Sequence, residues 1–213
     1  MHLLVLLDVD GTLFLTDDPL AGRALRDTLE ERFDVKLPPD AIERVDHAGQ
    51  TALRIARLVL GAAGLADVDG AALREWCPRY SDRYLELLAE ADTSGWRAAP
   101  DADQVLGRLQ AAGHRLALLT GNPAPMARAR MDRLGLAEFF LAGQGAFGCD
   151  GEAREALIAL ARARAGDWPA EATVEIGDTQ RDADTAHTAG IRSILVGKAG
   201  LADAVARLPV SSA

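Results

Sequence analysis

Apolar residues in this chain gather in short runs, separated by longer stretches in which they recur every three or four positions. Leu3–Leu7, Arg115–Leu119, Thr173–Ile176 and Ser193–Val196 are aliphatic enough for strands buried on both faces, and Glu138–Leu141 supplies a fifth, less apolar run. Between the runs lie helix signals. Asp101-Ala-Asp103 opens a segment carrying Val105, Leu106 and Leu109 that closes at Gly113; Pro123 and Pro125 begin another that ends at Gly135; Thr179 begins a third that ends at Gly190. This alternation predicts an α/β fold, a Rossmann-like parallel sheet covered by helices.

One stretch breaks the alternation. From about Thr16 to Arg97 no strand pattern occurs, far more chain than the dozen or so residues that a crossover connection needs. Helical spacing recurs there over Gly22–Phe33, Asp40–Leu60 and Asp69–Glu90, with Ile42, Val45, Leu53, Ile55, Leu58 and Val59 on one pattern and breaks at Pro38-Pro39, Gly61 and Gly64. The pattern predicts a helical cap, residues 16–96, inserted into an α/β core made of residues 1–15 and 97–213.

Composition narrows the partners. The 213 residues carry 23 Lys plus Arg against 32 Asp plus Glu, a net charge of −9 that repels polyanions, so no nucleic acid and no anionic membrane is expected. A small anion remains compatible, because a helix N-terminus, a metal ion or one arginine can hold it locally. Cys77 and Cys149 stand far apart in no metal-ligand spacing, so neither a disulfide framework nor a zinc site is expected. The opening apolar run stops at Asp8, too short for a secretory signal, which makes a cytoplasmic protein, monomer or homodimer, the expectation.

Candidate chemistry sits where strands end, the edge at which open parallel sheets bind ligands. The first strand runs into Asp8-Val9-Asp10-Gly11-Thr12-Leu13, the second into Leu119-Thr120-Gly121-Asn122, and the one near Ile176 into Gly177-Asp178-Thr179-Gln180-Arg181-Asp182. Each alone reads equally as turn or cap chemistry: Asp-Gly as a turn, Thr-Gly-Asn as a helix entry, Asp178 as an N-cap and Asp182 as a solvated charge. Together, Asp8, Asp10, Asp178 and Asp182 would converge on one cleft, where like charges about 4 Å apart repel by several kcal/mol at an effective dielectric near 20. A cation resolves that repulsion, and oxygen ligands with room for water and a phosphate favour Mg²⁺. Thr120, Gly121 and Asn122, before a helix start, form a plausible phosphate seat.

These three motifs, in this order, resemble the haloacid dehalogenase superfamily, in particular its phosphoglycolate phosphatase-like branch with a helical cap after the first strand. The cap turn Ala48-Gly49-Gln50-Thr51 and the segment Ala189-Gly190-Ile191 are similar to that branch as well. The resemblance implies a core sheet of strand order 5-4-1-2-3 and a Mg²⁺-dependent phosphatase acting on a small phosphorylated metabolite through an aspartyl-phosphate. It implies Asp8 as nucleophile and Asp10 as general acid and base. Asp8, the Asp10 backbone carbonyl, Asp178 and Asp182 would be metal ligands, and Thr120 would hold phosphoryl oxygens. The superfamily normally adds a lysine, sometimes an arginine, to balance the nucleophile; Lys36 and Lys198 are badly placed, which leaves Arg154 as the candidate. In the cap, His47 and Arg54 flank the Gly49 turn and are candidates for selecting the leaving group. Two other readings stand beside this one: a sugar-phosphate mutase of the same superfamily, and a non-catalytic module that binds a phosphorylated ligand.

Overall fold

The computed structural model describes residues 2–209. Residue 1 and residues 210–213 of the expected core lie outside the described residues. Four parallel strands, β1 (Leu4–Leu7), β2 (Arg115–Leu118), β3 (Thr173–Gly177) and β4 (Arg192–Leu195), form a sheet of order β2-β1-β3-β4. β1 is central, pairing in register with β2 on one side (Leu4 with Arg115) and β3 on the other (Leu4 with Thr173). Its side chains alternate between two cores. Leu3, Val5, Leu7 and Val9 join the cluster built with α4 (Ala102–Ala111), α5 (Ala124–Arg133) and α8 (Gly200–Ala206). Leu4 and Leu6 join the opposite cluster, with α6 (Arg154–Arg164) and α7 (Gln180–Thr188).

The expected fifth strand is not where the apolar run placed it. Ala137–Phe139 is a short 3₁₀ turn, and the edge beside β2 is taken instead by a single parallel bridge between Leu119 and Ala146. Ala146 donates to the Leu118 carbonyl at 3.0 Å and accepts from the Thr120 amide at 3.2 Å. One residue of pairing satisfies this edge. The strand order therefore corresponds to 5-4-1-2, with position 3 reduced to that bridge.

Three helices follow β1 before the chain returns to the sheet: α1 (Pro19–Phe33), α2 (Ala52–Ala62) and α3 (Gly70–Glu90). Asp18, Thr51 and Asp69 cap them, each accepting a backbone amide from the first turn. α2 starts at Ala52, not at Asp40. Residues 39–45 form turns, and Arg26 donates to the carbonyls of Leu37, Pro38 and Pro39 at 3.3, 3.1 and 2.6 Å, so the prolines' neighbours are satisfied without a helix. Leu25, Leu29, Leu53, Leu60, Leu73, Trp76 and Tyr84 give the three helices a core of their own. Inside it Trp76 Nε1 donates to Thr28 Oγ1 at 2.9 Å. None of the described helices is long and apolar enough to cross a membrane.

Two adjacent segments carry the chain out to these helices and back. The Leu15 amide donates to the Arg97 carbonyl at 2.9 Å and the Ala99 amide to the Leu13 carbonyl at 3.0 Å. On the far side, the first amides of α2 dock onto the core: Ala52 donates to Gly121 at 2.8 Å and Leu53 to Gly148 at 3.3 Å. Gly121 permits that approach, because a Cβ there would collide with the Gln50 carbonyl. Arg57 grips Glu152 with two hydrogen bonds of 2.7 and 2.6 Å, and Cys77 of α3 is disulfide-bonded to Cys149. The expectation that spacing indicates no disulfide is overturned, because folding places residues 72 apart in sequence with their Cα atoms 6.0 Å apart.

Candidate active site

Asp8 follows β1 and keeps its ladder, its amide donating to the Ile176 carbonyl at 2.9 Å. The side chain is buried, and burial pushes its carboxyl well above the ordinary aspartate range; Arg154 opposes the rise, while Asp182 and Asp10 add to it. The chain then turns at Gly11, whose φ of 74° suits glycine, and the Asp178 carboxylate occupies the space a Cβ would need. Sequence distance disappears here.

Asp178 lies just past β3, exposed, with its carboxyl raised first by desolvation and then by Asp182. Asp182, one turn into α7, is fully buried. Its Oδ2 accepts from the Thr179 amide at 2.9 Å and the Thr179 hydroxyl at 2.7 Å, closing a reciprocal cap on α7. Its Oδ1 lies 2.6 Å from Arg154 Nη2. The solvated-charge reading of Asp182 is thus overturned by its burial, and the N-cap of α7 is Thr179, not Asp178. One carboxylate oxygen from each of Asp8, Asp178 and Asp182 falls within 4.8 Å of the others.

Arg154 begins α6 and is 5% exposed. Its Nη2 reaches Asp8 Oδ1 at 3.3 Å and Glu175 Oε1 at 3.5 Å as well as Asp182. Burial works against its charge, and Asp8, Asp182 and Glu175 outweigh that and raise its pKa. Glu175, fully buried in β3, is pushed up to about 8, chiefly by burial; Arg154 pulls it down and Asp182 up. One guanidinium faces three carboxyl groups, with Asp178 close by, so oxygen donors outnumber the one cation that meets them. A hard divalent cation fits that donor set.

Across the cavity, Thr120 is buried beyond β2, its Oγ1 accepting from the Asn122 amide at 3.2 Å and from Asn122 Nδ2 at 3.0 Å. Asn122 Nδ2 also donates to Asp10 Oδ2. The Asp10 side chain is therefore turned away from the Asp8–Asp178–Asp182 cluster and toward Arg130. Arg130 Nη1 holds both Asp10 oxygens at 2.9 and 3.2 Å, Nη2 holds Asp18 at 2.8 Å, and Nε reaches the Tyr84 hydroxyl at 3.2 Å. Its guanidinium also lies over the Phe14 and Tyr84 rings. Sequence reasoning missed Arg130 and Glu175, although both carried a signal. Arg130 occupies an apolar position on α5, with Met126, Ala127 and Met131, and Glu175 interrupts a strand buried on both faces.

A cavity of about 520 Å³ joins these parts, lined among others by Asp8, Asp10, Thr120, Gly121, Asn122, Arg154, Asp178 and His47. His47 is exposed in its turn, with Nε2 2.9 Å from the Ile42 carbonyl. Arg54 is not brought in. It lines a second cavity of about 320 Å³ on the other side of the Gly49 turn.

Comparison with known proteins agrees with this architecture. Residues 3–190 match the family model for the haloacid dehalogenase-like hydrolases. A phosphoglycolate phosphatase of Rhodospirillum rubrum is 32% identical over 194 residues, covering 90% of this chain and 78% of its own. One of Caulobacter vibrioides is 29% identical over 189 residues, covering 89% and 76%. In fold, the chain is similar to CbbY from Rhodobacter sphaeroides solved in complex with phosphate, with a TM-score of 0.61 at 21% identity, over 92% of this chain and 86% of that one.

Proposed function

Since this chain belongs to the haloacid dehalogenase-like hydrolase family, we propose that it is a phosphatase, hydrolysing the phosphate monoester of a small metabolite with Mg²⁺ held by Asp8, Asp178 and Asp182. The observation that carries the reading is the convergence of those three carboxylates, within 4.8 Å of one another, with Arg154 on one cavity. The names of the curated relatives point the same way. The bound cation would neutralise charge on the phosphoryl group.

The chain's own residues divide the work. A carboxylate oxygen of Asp8 attacks phosphorus as the bond to the leaving oxygen breaks, and Asp10 delivers the proton that the leaving oxygen requires. Asp10, then ionised, takes a proton from the water that attacks the phosphorus of the Asp8 acyl phosphate, which frees inorganic phosphate and restores Asp8. Asn122 and Arg130 aim the Asp10 carboxylate. Arg154 balances the charge of nucleophile and phosphate in place of the lysine usual in the superfamily, and Thr120 with the amides near Gly121 receives the phosphoryl oxygens. Helices α1–α3 act as a cap that shields the reaction from solvent, and His47 meets the leaving group. A cytoplasmic setting belongs to the same proposal.

The test is phosphate release from a panel of phosphorylated metabolites and p-nitrophenyl phosphate, with and without Mg²⁺. Release that requires Mg²⁺ and vanishes in Asp8→Asn, with the folded fraction unchanged, is the expected result. Undiminished turnover by Asp8→Asn contradicts the assignment of the nucleophile.

A further inference from the structure

Building on the phosphatase reading, we infer that the group esterified to phosphate in the preferred substrate is uncharged and partly apolar, and carries neither a carboxylate nor a second phosphate. The cavity is lined by two chemically different sets of residues. The core contributes the carboxylates with Arg154, where the phosphate would sit. The outgoing segment and the three inserted helices contribute an apolar side, Leu15, Ala21, Gly22, Leu25, Ile55 and Tyr80, with Thr16, Asp17 and Asp18 alongside.

Among the described residues, both arginines that line this cavity are paired with acids of the chain itself. Arg154 meets Asp8, Asp182 and Glu175, and Arg130, its side chain 3% exposed, is bracketed by Asp10 and Asp18. His47 commits Nε2 to the Ile42 carbonyl. Around the Gly49 turn the same pattern holds: Arg44 pairs with Asp40, Arg57 with Glu152 and Arg181 with Asp46. Arg54 opens onto the other cavity. The outgoing segment instead brings Asp17, exposed and lining the cavity. A second anion on the substrate would leave water for an apolar wall and a nearby carboxylate, an uncompensated loss of hydration. An uncharged group loses little there and gains apolar contact. The cavity thus differs from what phosphoglycolate asks of a binding site, since that compound holds a carboxylate one carbon from its ester oxygen.

A matched pair of substrates tests the inference. Phosphoglycolate and its amide have nearly the same shape and differ by one charge, and n-butyl phosphate adds an apolar group. With Mg²⁺ and the intact protein, kcat/KM for the amide and for n-butyl phosphate is expected to exceed that for phosphoglycolate by about tenfold or more. Gly22→Arg sharpens the test: a Cβ at Gly22 meets nothing within 4 Å, so α1 accommodates a side chain facing the cavity. That variant is expected to raise kcat/KM for phosphoglycolate relative to the amide. Equal or faster turnover of wild-type protein on phosphoglycolate overturns the inference, and so does an unmoved ratio in Gly22→Arg. Hydrolysis of p-nitrophenyl phosphate, lost in Asp8→Asn, keeps the phosphatase reading standing in either of those cases; release from none of the compounds overturns both.

Discussion

On the sheet side of the cavity, Asp8, Asp182 and Glu175 are buried against Arg154, and burial holds the Asp8 and Glu175 carboxyls above their usual range. On the helical side the wall is Ala21, Leu25, Ile55 and Tyr80, with Asp17 exposed beside them, and Arg44 and Arg57 of that side are paired with Asp40 and Glu152. The sheet side is held by a strand ladder and a helix cap, which fix side chains to within a rotamer. The helical side is held by packing and by a few ties to the core. On the proposed reading, chemistry falls to the rigid wall and selection to the adaptable one.

If the contrast is right, the seam between the two walls is where substitutions do most to stability. Arg130 spans it, joining Asp10 of the core to Asp18 and Tyr84 of the helical side. Arg130→Met is expected to destabilise the fold by about 3–5 kcal/mol, because the buried Asp18 carboxylate loses its partner; denaturant melts measure it, and a loss below about 1 kcal/mol would mean that Asp18 finds water instead. Arg154 belongs to the rigid wall alone. Arg154→Met is expected to lower kcat by about 10²–10³, the usual effect of removing one fixed group that stabilises the reacting charge. Arg154→Lys should recover part of that loss, and equal rates for the two variants would show that the position does not need a cation.

Weaker ties sharpen the adaptable side. In the oxidised protein, Cys149→Ser is expected to cost roughly 2–4 kcal/mol by opening the loop closed between Cys77 and Cys149. Equal melts with and without reductant would place no weight on the bridge. The Arg57–Glu152 pair is partly exposed and worth at most about 1 kcal/mol. Its hydrogen bond to Arg57 lowers the Glu152 carboxyl below its usual value. That contribution is therefore complete above the unfolded-state value near 4.5 and is lost as pH falls through the lower folded value. The stability gap between wild type and Glu152→Gln should accordingly close on acidification, as thermal melts across pH 3–7 would read.

Legibility followed the length scale of the interactions. That Asp8, Asp178 and Asp182 stand at neighbouring strand ends was readable because a strand end, a glycine turn and a helix cap are local devices, each written in a few consecutive residues. The helical insertion was readable from its length and spacing, but the start of α2 was not, since Arg26 satisfies a turn that begins eleven residues further along the chain. Glu138–Leu141 resembled a strand by composition alone, and the sheet edge was settled by Ala146, whose pairing depends on where the chain passes Leu119. Cys77 and Cys149 could not be matched for the same reason: their meeting is a product of docking α3 on the core. Arg54 was chosen for its nearness to Gly49, yet successive helix positions diverge by about 100°, and it faces the other cavity.

The account rests on Asp8 as the group that takes the phosphoryl. Borohydride reduction of the protein during turnover of p-nitrophenyl phosphate with Mg²⁺, followed by peptide mass spectrometry, reads this directly. The account predicts homoserine at position 8, formed only when substrate and Mg²⁺ are both present. Steady phosphate release with an unreduced aspartate at position 8, or with reduction at another carboxylate, would contradict it.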